Sequence, residues 1–145
     1  MPGAGKTTLA RRLEAEQGAV RLCPDEWLVA LGLDPQEPRV RRRFERLQWA
    51  QALQLADHGL TVAVEFGSWG RVERRRMREQ AREVGVAVEL RVLDVGLAER
   101  WRRIAARNTE PGAVVIRRPE LEGFERWWQP PDPEELAAYD APLEP

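Results

Sequence analysis

The sequence holds a single cysteine, Cys23, a single histidine, His58, and a single lysine, Lys6, in 145 residues. A lone cysteine excludes an internal disulfide. One cysteine with one histidine also excludes a cluster of soft metal ligands, so any metal is expected to be a hard cation held by oxygens. No stretch approaches the roughly 20 apolar residues of a membrane span, and no basic segment leads into an apolar run near the start. The expected location is therefore the cytoplasm. An excess of charge of one sign is lacking too: 23 basic residues face 24 acidic ones, for a formal net charge of -1. This argues against a broadly basic nucleic-acid-binding surface. A chain of this length with 43% hydrophobic residues is long enough to bury one core and short for two, so one domain is expected over residues 1–145.

The punctuation of the chain is legible. Residues 6–17 read as a helix with Leu9 and Leu13 one turn apart and Gly18 at its end. Residues 19–23 read as a short strand closed by Pro24, and Asp25 is placed to cap a short helix to Leu31. A long helix is expected from about Arg39 to His58, on a stripe of Val40, Phe44, Leu47 and Leu53. Residues 60–66 are rich in β-branched residues and read as a buried strand. A loop, Gly67-Ser68-Trp69-Gly70, leads from it to a very basic helix ending near Val84. Residues 86–95 alternate, with Val86, Val88, Leu90 and Val92 on one face, as a half-polar strand does. Leu97, Trp101 and Ile104 mark a helix to about Asn108, residues 113–116 read as one more strand, and short helical turns follow Pro119. Strands separated by helices of this length require crossovers, hence parallel pairing in a three-layer α/β sheet. Ligands of such sheets sit at the carboxyl ends of the strands, so the loops after Cys23, Phe66 and Asp94 should share a rim with the Gly-rich start.

That start, Met1-Pro2-Gly3-Ala4-Gly5-Lys6-Thr7-Thr8, fits the phosphate-binding loop pattern G-x-x-x-x-G-K-[ST] at every position but the first glycine. The pattern has a physical basis. Glycines let backbone N–H groups turn inward on an anion, and the helix adds its positive N-terminal end. Lys6 reaches the β- and γ-phosphates, and the Thr7 hydroxyl is offered to Mg²⁺. The ATP-binding set is thus Gly3, Ala4, Gly5, Lys6, Thr7 and Thr8, against the bland reading of a glycine-rich turn capping an ordinary helix. A P-loop joins a strand to a helix, and in a nucleoside-kinase-like sheet that strand lies between residues 60–66 and 86–95. Either the start is assigned too late, which is the favoured expectation, or the sheet closes across the gap. An unfilled gap would leave two central edges unpaired and an apolar slot between them.

The chain resembles the P-loop kinases often labelled AAA-type ATP-binding proteins, relatives of chloramphenicol phosphotransferase, zeta toxin and gluconate kinase. The resemblance is carried by residues 2–8, by Cys23-Pro24-Asp25-Glu26-Trp27 and by Val64-Glu65-Phe66-Gly67-Ser68-Trp69. Leu93-Asp94-Val95, residues 101–108 and the Pro130-Pro131-x-x-Glu134-Glu135 run complete it. It implies a P-loop NTPase fold of nucleoside-kinase-like order and transfer of the ATP γ-phosphate to a hydroxyl of a small-molecule acceptor, with Mg²⁺. In that family an aspartate after the second strand acts as base, which here is Asp25; a plain helix cap is the alternative. Glu65, where the family more often has aspartate, holds Mg²⁺ or its water, or serves as a structural acceptor. Arginines of the fifth helix clamp the phosphoryl group or stack on adenine in such kinases. Arg107 is the preferred catalytic arginine and Arg103 an ATP contact, against a solvated helix face for both and for Arg100. The runs Arg41 to Arg43 and Arg74 to Arg76 read as solvated helix faces, with Arg71 and Arg74 the candidates to meet a phosphorylated or acidic substrate, and Trp69 or Trp27 to line the acceptor pocket. His58 is assigned a helix cap and Asp94 a loop cap. Two other classes stand beside the kinase: a nucleotide-binding switch or ATPase without an acceptor, and a truncated non-catalytic remnant.

Overall fold

The computed structural model describes residues 1–142. Its order is α1 (Lys6–Gln17), β1 (Val20–Leu22), α2 (Pro24–Ala30), α3 (Pro38–Asp57), β2 (Val62–Val64), α4 (Arg71–Glu83), α5 (Leu97–Arg107), α6 (Arg118–Phe124) and α7 (Pro133–Ala137). The protein is α/β with a helical majority and a parallel pair of strands. Val20, Arg21 and Leu22 stand opposite Val62, Ala63 and Val64.

Glycines end the first helix and the turns after α3 and α4 where expected, and α3 is stopped by His58, whose Nδ1–H donates to the Gln54 carbonyl at 2.7 Å. The α2 start differs from expectation. Pro24 at the first helical position supplies a preset φ, the cap residue is Cys23, and no side chain caps the helix. Asp25 lies inside the first turn and spends its carboxylate elsewhere, as described below.

Two of the four expected strands form a ladder. Residues 86–95 and 113–116 make no ladder among the described residues. The Val88 carbonyl accepts from Asp140 N at 2.9 Å, and Val88 N donates to Asp140 Oδ2 at 2.7 Å. Asn108 brackets Ile116 in the same way, Nδ2 donating to its carbonyl and Oδ1 accepting from its N–H. The physical reason is that a strand exists only by pairing, and β2 and residues 86–95 flank a cavity of about 860 Å³ instead of each other. The core is correspondingly thin. Leu28, Ile104 and Leu121 are fully buried, while Val62, Ala63 and Val64, which should lie at the centre of a packed sheet, are only half-buried.

The C-terminal segment is clamped to α4. Arg74, 2% exposed, donates to both carboxylate oxygens of Glu135 at 2.7 and 2.8 Å and to the Ser68 and Trp69 carbonyls, with Trp128 5.5 Å from its guanidinium. Arg71 pairs with Asp132 at 2.8 Å. The expectation that Arg74 meets an acidic substrate is thus corrected, while Arg71 stays half-exposed in its pair with Asp132. Arg74 is buried in an internal pair, which a guanidinium tolerates only when its donors are satisfied.

Candidate functional site

The helix that follows the Gly-rich start begins at Lys6 with Gly5 as its cap in the left-handed region, φ 98°, and no side chain on its first amides. Those amides and the positive end of α1 are therefore open to an anion. Gly3 is left-handed as well, φ 73°, and a Cβ there would come within 2.7 Å of the Arg100 carbonyl and 3.1 Å of Ile104. Only glycine satisfies both the torsion and the close approach of the loop to α5. Ala4 is buried beneath the loop, and Thr8 is exposed.

Lys6 turns its Nζ back on the loop and donates to the Met1 carbonyl at 3.1 Å. Burial depresses its pKa, with Asp25 and Glu65 pulling the other way. A buried ammonium near two carboxylates is poised to gain from a polyphosphate. The Thr7 hydroxyl donates to Glu65 Oε2 at 2.6 Å, joining the first turn of α1 to the residue that ends β2. Glu65, 6% exposed, receives Arg21 Nη1 on its other oxygen at 2.5 Å, so its buried charge is compensated. Arg21 also pairs with Glu26.

Asp25 is exposed and accepts from Arg41 Nη1 on Oδ1 at 2.5 Å. Arg41 is also bound by Glu45 at 2.9 Å and by the Pro35 carbonyl at 3.2 Å. Arg103 Nη1 lies 3.5 Å from the Gly3 carbonyl, while its Nε donates to Glu99 at 2.7 Å. Arg102 and Arg103 hold the Glu99 carboxyl down at about 2. Arg107 donates from Nη2 to the Val114 carbonyl at 3.3 Å and keeps a buried Nε without a partner.

A cleft of about 1600 Å³ gathers these groups: Gly3, Gly5, Lys6, Thr7 and Thr8 with Asp25, Glu65, Arg103 and Arg107 on its walls. The three arginines of α5 thus divide. Arg103 and Arg107 line the cleft, whereas Arg100 is buried against the Val95 carbonyl at 2.8 Å and Glu125 at 2.6 Å. Of the expected rim, the loops after β1 and β2 meet the glycine loop, but Asp94 faces the apolar cavity and is absent from the cleft wall. Trp69 lines the cleft, 5.1 Å from Phe124, while Trp27 packs on Phe44 outside it. Arg21, Arg41 and Trp127 were not assigned to the site by the sequence reading. Arg21, flanked by Val20 and Leu22, was the one with a signal, since an arginine inside a short apolar strand needs a carboxylate partner.

A family model described as an AAA domain matches residues 1–131. The chain belongs to this AAA-domain family. With it come the P-loop NTPase fold and nucleotide binding, the chemistry to which the glycine loop, Lys6 and Thr7 are suited. No curated protein and no solved structure matches the chain. Among the described residues no helix of this AAA-domain protein is long and apolar enough to cross a membrane, and no three histidine, cysteine or carboxylate groups gather around a cation.

Proposed function

We propose that this single-domain chain is an ATP-dependent phosphotransferase that passes the γ-phosphate to a hydroxyl of a small molecule, on a P-loop fold of nucleoside-kinase-like strand order. The observation that carries the reading is the 2.6 Å bond from Thr7 to Glu65, on the wall of the cleft that Lys6 and Asp25 also line. A hydroxyl and a carboxylate joined at a P-loop are the donor set an Mg²⁺–nucleotide needs, and an ordinary helix cap would have no use for it.

In this reading the free amides of α1, Lys6 and Arg103 hold the polyphosphate, with Thr7 and Glu65 the residues that would hold Mg²⁺, directly or through its water. The cation would neutralise charge on the β- and γ-phosphate oxygens. Asp25 takes the proton of the acceptor hydroxyl as its oxygen bonds to the γ-phosphorus and the bond to the β–γ bridging oxygen breaks. The ion pair with Arg41 uses Oδ1 and leaves Oδ2 for that proton. Arg107, on the cleft wall, stabilises the charge on the transferring group.

Radiolabelled γ-phosphate transfer to panels of alcohols, sugars and hydroxylated antibiotics tests this. Asp25→Asn should abolish transfer and leave nucleotide affinity within about twofold. ATP binding with no transfer to any hydroxyl acceptor would favour the ATPase or switch reading instead.

A further inference from the structure

Arg21 reaches the Thr7–Glu65 pair from β1, and the strand register puts it there. Arg21 stands opposite Ala63, and Glu65 follows Ala63 by two positions, so both side chains leave the same face of the strand pair. The ladder is carried on to Glu65 by its N–H, which donates to the Leu22 carbonyl at 3.0 Å. Leu22, on the other face, is 2% exposed. On the shared face the guanidinium is enclosed by carboxylates from separate parts of the chain. Nη1 donates to Glu65 Oε1 at 2.5 Å, Nη2 donates to Glu26 in the first turn of α2, and Nε lies 3.6 Å from Glu14 Oε2 on α1. Glu26 is held in turn by Arg11 at 3.1 Å.

The Arg21 side chain is 12% exposed and that of Glu65 4%, so neither can swing away without stranding a buried charge. A planar fork with donors in fixed directions orients the carboxylate as well as balancing it. The two Glu65 oxygens are thereby divided. Oε1 is spent on Arg21, and Oε2 accepts from the Thr7 hydroxyl at 2.6 Å in the first turn after the glycine loop. The division bears on which divalent cation the pair can serve. Mg²⁺ is small, keeps several waters and takes single oxygens in an octahedral shell, whereas Ca²⁺ takes more oxygens in a looser shell and accepts both oxygens of one carboxylate.

We infer that Arg21 selects Mg²⁺ over Ca²⁺ at the nucleotide site by keeping Glu65 Oε1 occupied, so that the carboxylate offers the cation or its water one oxygen only. Arg21 is a positioning residue that acts through Glu65, and its role rests on the reading that Thr7 and Glu65 hold the cation of a metal–nucleotide. Charge compensation alone predicts a different outcome. Removing the guanidinium would then strengthen the hold on both cations alike and leave their ratio unchanged. Freeing Oε1 changes the ratio, because only Ca²⁺ gains from a second oxygen on the same carboxylate.

The test measures ATP binding by calorimetry in excess Mg²⁺ and in excess Ca²⁺ for the wild-type chain, Arg21→Met and Thr7→Val, with thermal unfolding to show that each is folded. No acceptor and no turnover are needed, and the preference of ATP itself for either cation is common to all three chains and cancels. Arg21→Met should shift the ratio of Mg²⁺-supported to Ca²⁺-supported affinity about tenfold toward Ca²⁺. A ratio that stays put or moves toward Mg²⁺, with a metal dependence that Thr7→Val still removes, overturns the role of Arg21 and leaves the cation site standing. Metal dependence that survives Thr7→Val overturns both. Should Arg21→Met fail to fold, Arg21→Met with Glu26→Gln strands one carboxylate fewer and still frees Oε1; a shift toward Ca²⁺ in that chain supports the proposal and an unchanged ratio overturns it.

Discussion

Glu135→Ala should destabilise the protein far more than its place in a short C-terminal helix suggests. The variant removes two charge-assisted bonds, at 2.7 and 2.8 Å, from an arginine that is 2% exposed. Arg74 keeps the Ser68 and Trp69 carbonyls through Nη1 and the Trp128 face, but Nε and Nη2 lose their partners in a place water scarcely reaches. Leaving one member of a buried pair costs about 3–5 kcal/mol. The lower end, about 3 kcal/mol, applies here because Nη1 and the indole still stabilise the charge. Urea unfolding followed by tryptophan fluorescence measures it, and the loss should appear as a shift of midpoint at constant m-value. Arg74→Met combined with Glu135→Leu should recover much of the loss, since an apolar pair leaves no uncompensated charge. The hydrogen bonds from Arg74 hold the Glu135 carboxyl below its ordinary value of 4.5. The stability it contributes is thus complete above that value and is lost as pH falls through the lower folded value. A loss under about 1 kcal/mol at neutral pH, typical of an exposed pair, would refute the reasoning.

Gly3→Ala should cost at least about 1–3 kcal/mol and weaken nucleotide binding, because its Cβ would meet the Arg100 carbonyl at 2.7 Å on a backbone with φ 73°; thermal unfolding with and without ATP measures both effects. Thr7→Val should leave the fold intact but lose the Mg²⁺ dependence of ATP binding, read by calorimetry with and without a chelator. N-terminal acetylation should remove a pH effect. The Met1 amine, facing Lys6, Arg100 and Glu125, titrates near 5 when folded and near 8 when unfolded. Between those values the unfolded chain holds more protons, so the free-amine chain gains stability as pH rises from about 5 to 8. The acetylated chain should lack that increment; identical pH profiles would argue against a buried amine.

The helices were legible because their information is local. Apolar spacing and glycine stops located α1 from Lys6 to Gln17, and α4 and α5 to within a residue or so. The glycine loop, Lys6 and Thr7 were legible because a P-loop is a contiguous motif, and Glu65 because it ends an apolar strand. Residues 86–95 were read as a strand and make no ladder among the described residues, since alternation speaks for a segment's faces while a ladder depends on what lies beside it. Arg74 was misjudged, and the pairing of Arg71 missed, for a related reason. Their partners Asp132 and Glu135 lie 61 residues away from them, and a charge run does not say whether its counter-charges are in solvent, in substrate or in the same chain. The Asp25–Arg41 pair was hidden likewise, because the Arg41 to Arg43 run reads as a solvated face until α3 is packed on α2.

The most direct test of the nucleotide-binding claim is titration of the chain with ATP and Mg²⁺, by tryptophan fluorescence, beside its Lys6→Ala counterpart. Trp69 and Trp127 on the cleft wall supply the signal. Saturable binding, lost in Lys6→Ala, is the predicted result. Absence of binding, or binding that Lys6→Ala leaves unchanged, would contradict the P-loop assignment.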